Sequence, residues 1–186
     1  MTTTTTCPYD TFALAAAETV KFADDDEATV YLVVGSGTMI LLCFGSRHYL
    51  QTINISGSWV GSDKVVARFD LDHFKQLAHE LASVPGSVDP NQITINVDDG
   101  KVAFEFAATT QILTADIGTD EPDLHMRLIR ANGGPAVQCT MEDNSRLVFA
   151  LTSPASNLHI KGTADGLYYG SYHLGGASEL SGLILS

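Results

Sequence analysis

Six histidines, three cysteines and 22 carboxylates are the side chains of this chain that could do chemistry, and their spacing decides whether they can act together. His48, His73, His79, His125, His159 and His173 are scattered. His73 and His79 stand six apart, which on a helix turns them roughly 120° away from each other, a poor ligand pair and an ordinary solvated face. The run Asp24-Asp25-Asp26-Glu27 has the charge to hold a hard cation, but it lacks the alternation and the glycine of a calcium loop and reads as a solvated turn. Gly35-Ser36-Gly37 has the look of a phosphate cradle, yet neither the lysine nor the following helix that such a loop needs is present. The chain contains no G-x-S-x-G elbow, no H-E-x-x-H pair and no C-x-x-C pair. We therefore expect no enzyme, no metal site and no cofactor.

Charge narrows the partners. The 22 acidic residues against 10 basic ones give a net charge of −12, which excludes a generically basic nucleic-acid binder. It leaves room for a ring or groove that gathers its few bases on one surface. No run approaches the roughly 18 apolar residues of a membrane span. The opening MTTTTTCPYD has neither the basic nor the apolar region of a secretory signal, so the Asn54-Ile-Ser56 triplet is not read as a glycosylation site. Cys7, Cys43 and Cys139 are odd in number and far apart, as expected of reduced thiols in a cytoplasmic-type compartment.

The elements that must position these residues follow from periodicity. Residues 1–8 are Thr-rich and read as a flexible, frayed N-terminus. Asp10 is placed to cap a helix running to about Val20. ATVYLVV (28–34) and TMILLCF (38–44) flank three small residues as a β-hairpin, and HYLQTINI (48–55) follows as a third strand. The stretch from Gly57 to Gly61 around Trp59 reads as a surface connection, and VVARF (65–69) as a short strand. Phe74, Leu77, Ala78 and Leu81 recur at helical spacing after a cap at Asp70 or Asp72. ITINV (93–97), the turn at 98–100 and KVAFEF (101–106) repeat the hairpin, with a third strand at 112–117. AVQCTM (136–141) and RLVFAL (146–151) make another hairpin, followed by strands at 158–162 and 167–174. The segment 121–130 fits a short helix or an extended crossover equally well. The hairpin-plus-strand unit thus recurs at 28–55, 93–117 and 136–162, an α+β chain of repeated helix–hairpin–strand units whose antiparallel sheets carry helices on one face.

In this order the pieces LLCFGSRHYLQTI, VVARFDLDHFKQLAHELA, ITINVDDGKVAFEF and LTADIGTDEPDLHMRLI resemble the bacterial-type DNA polymerase sliding clamp, the β processivity ring. That family reads a strand opening on T-D-G-H-R-L-A, a helix, a V-T-I-x-V-x-D-N-x-V-x-F-x-F hairpin and L-I-D-G-x-F-P-D-Y. NSRLVFALTSPASNLHIKGTADGLYYGSYHL is similar to its closing strands. The likeness covers about three-quarters of the chain, in a short and divergent form. Phe44-Gly45-Ser46-Arg47-His48-Tyr49 stands where T-D-G-H-R-L is expected and loses the acid, while Pro122-Asp123 keeps the P-D.

The resemblance implies a DNA polymerase processivity factor, a ring around duplex DNA that tethers replication proteins. Residues 9–120 would form a complete clamp-like unit, 121–176 a partial one and 177–186 a tail. The helix faces toward the hole would present Lys21, Lys75, Gln76 and His79, joined by Arg47 from a loop and by Arg127 and Arg130 if 121–130 faces inward. Such contacts read phosphate charge without sequence. A partner-peptide pocket for the polymerase and the clamp loader would include Phe44, Tyr49, Pro122, Tyr169 and Tyr172. The family closes its ring from twelve half-repeats, so a chain with three implies a homo-oligomer, with a tetramer favoured. The alternative is a clamp-derived or unrelated α+β protein-binding module that oligomerises without encircling DNA, which the thin basic lining favours.

Overall fold

The computed structural model describes residues 2–23, 28–35, 38–44, 49–56, 58–60, 64–84, 91–120, 122–123, 155–163, 166–173 and 178–185. Its first part is one unit written twice. The first copy runs β1 (Thr3–Cys7), α1 (Tyr9–Phe22), β2 (Thr29–Gly35), β3 (Thr38–Phe44), β4 (Tyr49–Ser56) and β5 (Ser58–Val60). The second runs β6 (Val65–Phe69), α2 (Leu71–Ser83), β7 (Ile93–Asp98), β8 (Lys101–Phe106), β9 (Thr109–Thr114) and β10 (Asp116–Gly118). β11 (Ala155–Thr163), β12 (Gly166–His173) and β13 (Ser178–Leu185) follow.

The two copies exchange their outer strands. One sheet, here called the first, has the order β5-β1-β7-β8-β9, so the opening and closing strands of copy one flank the meander of copy two. The second sheet, β10-β6-β2-β3-β4-β13-β12-β11, does the reverse and then continues. Every pairing among the described strands is antiparallel. This is the expected α+β architecture, and the exchange means that each sheet is built from strands of both copies.

Helix α2 forms as its sequence dictates. Asp70 Oδ1 accepts hydrogen bonds from the backbone N–H groups of Asp72 (2.9 Å) and His73 (3.4 Å), and Leu71, Phe74, Leu77, Ala78 and Leu81 are buried at helical spacing. Helix α1 begins differently. Pro8 is its cap residue and makes no side-chain cap bond, while Asp10 lies in the first turn, where its charge suits the helix dipole. The oxygen that satisfies the Asp10 N–H comes from Asn91 Oδ1 (3.3 Å), and Asn91 Nδ2 donates back to Asp10 Oδ2 (3.0 Å). The expected Asp10 cap is thus replaced by a residue from the other copy.

One core lies between the sheets and the helices. Phe104 sits near its centre, its ring 5.8 Å from Phe12 and 6.1 Å from Phe69, and Phe69 also meets Phe74 at 5.7 Å. The Tyr9 hydroxyl donates to the Leu81 carbonyl and ties α1 to the end of α2. Gly35 is required by close approach, since a Cβ there would lie 3.0 Å from Lys64 Cα.

Several expectations are corrected. Residues 3–7 are not a frayed end but an interior strand. Thr3, Thr5 and Cys7 alternate into the core, and Thr4 Oγ1 donates to Asn96 Oδ1 at 2.8 Å. Ser58–Val60 is a strand paired with β1 rather than a surface connection. The strand expected at 112–117 is two, because the chain breaks at buried Ala115, whose N–H bonds Gly100 O at 3.1 Å, and then passes from the first sheet to the second. The tail at 177–186 supplies β13, an interior strand between β4 and β12. The segments 124–130, 136–141 and 146–151, which hold the ambiguous helix and the hairpin of the third expected repeat, lie outside the described residues.

Candidate nucleic-acid and partner-binding surfaces

Helices α1 and α2 pack against each other, and three of the expected DNA-facing residues meet on α2. On α2, Gln76 and His79 are exposed and Lys75 is half-buried, so these three do share one helix. The side chains of Lys75 and Gln76 are already engaged along the helix, and His79 is engaged through its backbone. Lys75 Nζ lies 4.0 Å from Asp72 Oδ1, Gln76 Nε2 donates to Glu80 Oε1 at 3.2 Å, and the His79 carbonyl accepts from Ser83 Oγ at 2.7 Å. The solvent side of α1 is formed by Asp10, Ala13, Leu14, Ala17 and Val20, with Leu14 37% exposed. Lys21 falls in the last turn of α1, and its side chain lies outside the described residues, as do Arg47, Arg127 and Arg130. Among the described side chains of this helix surface, Lys75 stands against Asp10, Asp72 and Glu80. The described part of this surface is therefore acidic and partly apolar, with its one described lysine beside an aspartate.

The expected partner-peptide residues fall on both faces of the second sheet. Phe44, half-buried on β3, meets Tyr31 edge-on with ring centroids 5.3 Å apart. Antiparallel partners share a face, and successive residues alternate between faces. Along Phe44↔Leu50, Leu50↔Leu183, Leu183↔Tyr168, the register assigns Tyr168, and hence Tyr172, to the face of Phe44. Tyr49 and Tyr169 occupy positions of the opposite face, the one on which Met39 and Ile55 enter the core. Pro122 is half-buried. The register thus brings Phe44 and Tyr172 to one face and separates them from Tyr49 and Tyr169.

One feature gave no signal in the sequence. A cleft of about 500 Å³ opens where β6 hands over to α2, lined among others by Thr29, Arg68, Asp70, Asp72, His73 and Asp116. Arg68 Nε donates to Asp116 Oδ2 at 3.0 Å and the guanidinium adds a second bond to the same oxygen. The Asp116 carboxylate, by that hydrogen bond and its charge, pushes the Arg68 pKa further up. The lining comes from three distant segments, so no local motif betrays it. Among the described residues no group of three or more His, Cys, Asp or Glu is placed to hold a metal ion, and no helix is long and apolar enough to cross a membrane.

No protein-family profile matches the chain, and no curated protein sequence does. Solved structures do match over its whole length. The DnaN sliding clamp (DNA polymerase III subunit beta) of Pseudomonas aeruginosa, bound to griselimycin, aligns with a TM-score of 0.63 at 10% identity, covering 100% of this chain and 65% of the clamp. The DnaN clamp of Bartonella birtlesii gives 0.64 at 10% identity, covering 100% and 66%. In a structure of the C-terminal region of FEN-1 bound to A. fulgidus PCNA, the match is 0.61 at 9% identity over 99% of this chain and 97% of the other. The chain thus spans about two-thirds of the bacterial clamps and nearly all of the archaeal match. With its duplicated unit, two antiparallel sheets and paired helices, the chain has the α+β fold of DNA sliding clamps.

Proposed function

We propose that this protein is a divergent, sliding-clamp-like subunit that assembles with copies of itself into a ring around duplex DNA and tethers replication proteins there. The observation that carries the reading is the end-to-end match to both bacterial and archaeal clamps, 100% of the chain in one case and 99% in the other. In this reading Lys75, Gln76 and His79 on α2, Lys21 at the end of α1, and Arg47, Arg127 and Arg130 supply the contacts to phosphates. A DNA polymerase and a clamp loader are the partners, and Phe44 and Tyr172 contribute to the face that receives their peptides. The repeat count favours four chains per ring, working in a cytoplasmic-type compartment.

The test is retention on DNA. Protein loaded on a closed circle should stay bound through a salt wash and leave once the circle is cut, because a ring is held by topology rather than by phosphate contacts. Loss from intact circles as fast as from linear DNA would reject the ring.

A second reading is favoured by the acidic, partly apolar surface of α1 and α2: a clamp-fold module that binds proteins and does not encircle DNA. It expects no difference between circular and linear DNA at any salt concentration.

A further inference from the structure

We infer that the solvent side of α1 is a docking face for an amphipathic helix of another protein, one whose apolar stripe is bordered by lysines or arginines. The inference rests on the second, protein-binding reading above and names the chemistry of that partner. The duplication carries the argument, because α1 and α2 hold the same place in the two copies. On α2 the side away from the core is polar, with Asp72, His73, Gln76 and His79 exposed. On α1 that side runs through Ala13, Leu14, Ala17 and Val20, and Asp10 is its one charge among the described side chains. Glu18 is turned inward at 3% exposure. The fold therefore does not demand an apolar outer side at this position. A helix apolar on both sides is the pattern of one packed between two layers, and the core supplies only one of them.

Shape and charge decide the occupant. The four apolar side chains recur at helical spacing, so they form one stripe that rises about 10 Å along the axis. A helix has no free backbone groups along its length, so it is recognised through side chains, as when a partner helix lays its apolar positions against it. The small Ala13 and Ala17 let the partner's axis come close, and Leu14, 37% exposed, is the knob between them. Around the stripe stand Asp10 and, on the neighbouring α2, Asp72 and Glu80. Lys75 is the described lysine there, and its Nζ already lies 4.0 Å from Asp72 Oδ1. A cationic border complements these acids. A second copy of the chain would instead bring another net charge of −12 to the same face, which opposes self-pairing there.

The experiment is fluorescence anisotropy on the full chain with three labelled synthetic peptides of equal length. The first is a helix with a leucine stripe bordered by lysines, the second has glutamates in place of the lysines, and the third is the first scrambled so that no stripe forms. The lysine-bordered helix should bind, and the other two should bind at least about tenfold more weakly. Leu14→Gln should weaken that binding by about tenfold with unchanged circular dichroism. Ile112→Gln, at the other exposed large apolar side chain among the described residues, should leave it unchanged. Asp10→Asn should weaken it less and flatten its dependence on salt. Equal binding of the scrambled peptide, or a Leu14→Gln variant that binds as the wild type does, overturns the inference. So does a lysine-bordered helix that fails to bind at high micromolar concentration. A Leu14→Gln variant whose mass by light scattering falls below the wild type's also overturns it, and assigns the face to a second copy. Retention on closed circles judges the reading beneath. Protein held on circles encircles DNA and removes that reading together with the inference. Protein that is not held and binds no peptide keeps the reading and moves its docking face off α1.

Discussion

The two sheets descend from the same repeated unit and differ on the side that faces away from the core. In the first sheet that side is polar: Thr4 donates to Asn96, which donates to Glu105 Oε1 at 2.9 Å. In the second, the matching side holds Val33, Val66 and Leu42, all at most 4% exposed yet outside the central core cluster, with Tyr31 and Phe44 stacked edge-on beside them. One sheet is therefore apolar on one face and the other on both. The difference shows that a duplicated fold need not keep duplicate surfaces. Among the described strands, the second sheet accepts the last three on its β4 edge, whereas the first ends at β9.

The sharpest way to break this comparison is to truncate one outer-face residue in each sheet. Leu42→Ala, fully buried, should cost about 2–5 kcal/mol in urea denaturation, whereas Thr4→Ala removes one hydrogen bond and should cost about 1 kcal/mol. Equal losses would show that the two outer faces are equivalent after all.

Cys7 probes the inner face of the first sheet. Burial pushes its thiol up from 9.0 to about 12. Between those values the unfolded chain gives up the proton and the folded one keeps it. Stability is therefore full below about pH 9 and falls as the pH rises, by about 1.4 kcal/mol per unit through that window. A Cys7→Ser variant should show a shallower decline in melting temperature between pH 9 and pH 11. In the native protein at pH 8, alkylation mapped by mass spectrometry should spare Cys7 until denaturant is added.

The hairpin turns of the first sheet differ among themselves. Gly100 takes the left-handed conformation (φ 70°) that suits it, but Ala107 (φ 47°) and Ala108 (φ 61°) are held in the same region between β8 and β9. An L-residue there is strained by roughly 1–2 kcal/mol. Ala108→Gly should raise stability by about 1 kcal/mol, and Ala107→Asn by somewhat less. A loss of stability in both variants would mean that the turn does not limit this hairpin.

Effects of similarly small size distinguish the helix starts. Asp70→Ala and Asn91→Ala should each cost about 1 kcal/mol, the first by uncapping α2 and the second by uncapping α1. A negligible effect at Asn91 would show that α1 begins without help from the other copy.

Helix α2 was legible in the sequence because what makes it is local: a cap and four apolar residues at helical spacing. The hairpins at 29–44 and 93–106 were legible for the same reason, since their pairing is set by alternation and by short turns. The order of the pieces from LLCFGSRHYLQTI to LTADIGTDEPDLHMRLI likewise carries the resemblance to the clamp fold in the sequence itself. Cap, strand and partner were misjudged where they are non-local. Thr3–Cys7 looks like a polar end until β7 and β5 lie on either side of it. Asp10 resembles a cap until Asn91 arrives from 81 residues away, and the apolar tail is ambiguous until β4 receives it. The site follows the same division. Residue types along α2 announce Lys75, Gln76 and His79 as solvent-facing. Tertiary structure alone decided that Phe44 and Tyr49 take opposite faces of one sheet, that acids outnumber the lysine on the described helix surface, and that β9 is left at an edge. Local sequence fixes turns and periodicity because those depend on neighbours in the chain. Which strand lies beside which, and so which face is shared, depends on pairings between segments far apart, and only the folded chain makes them.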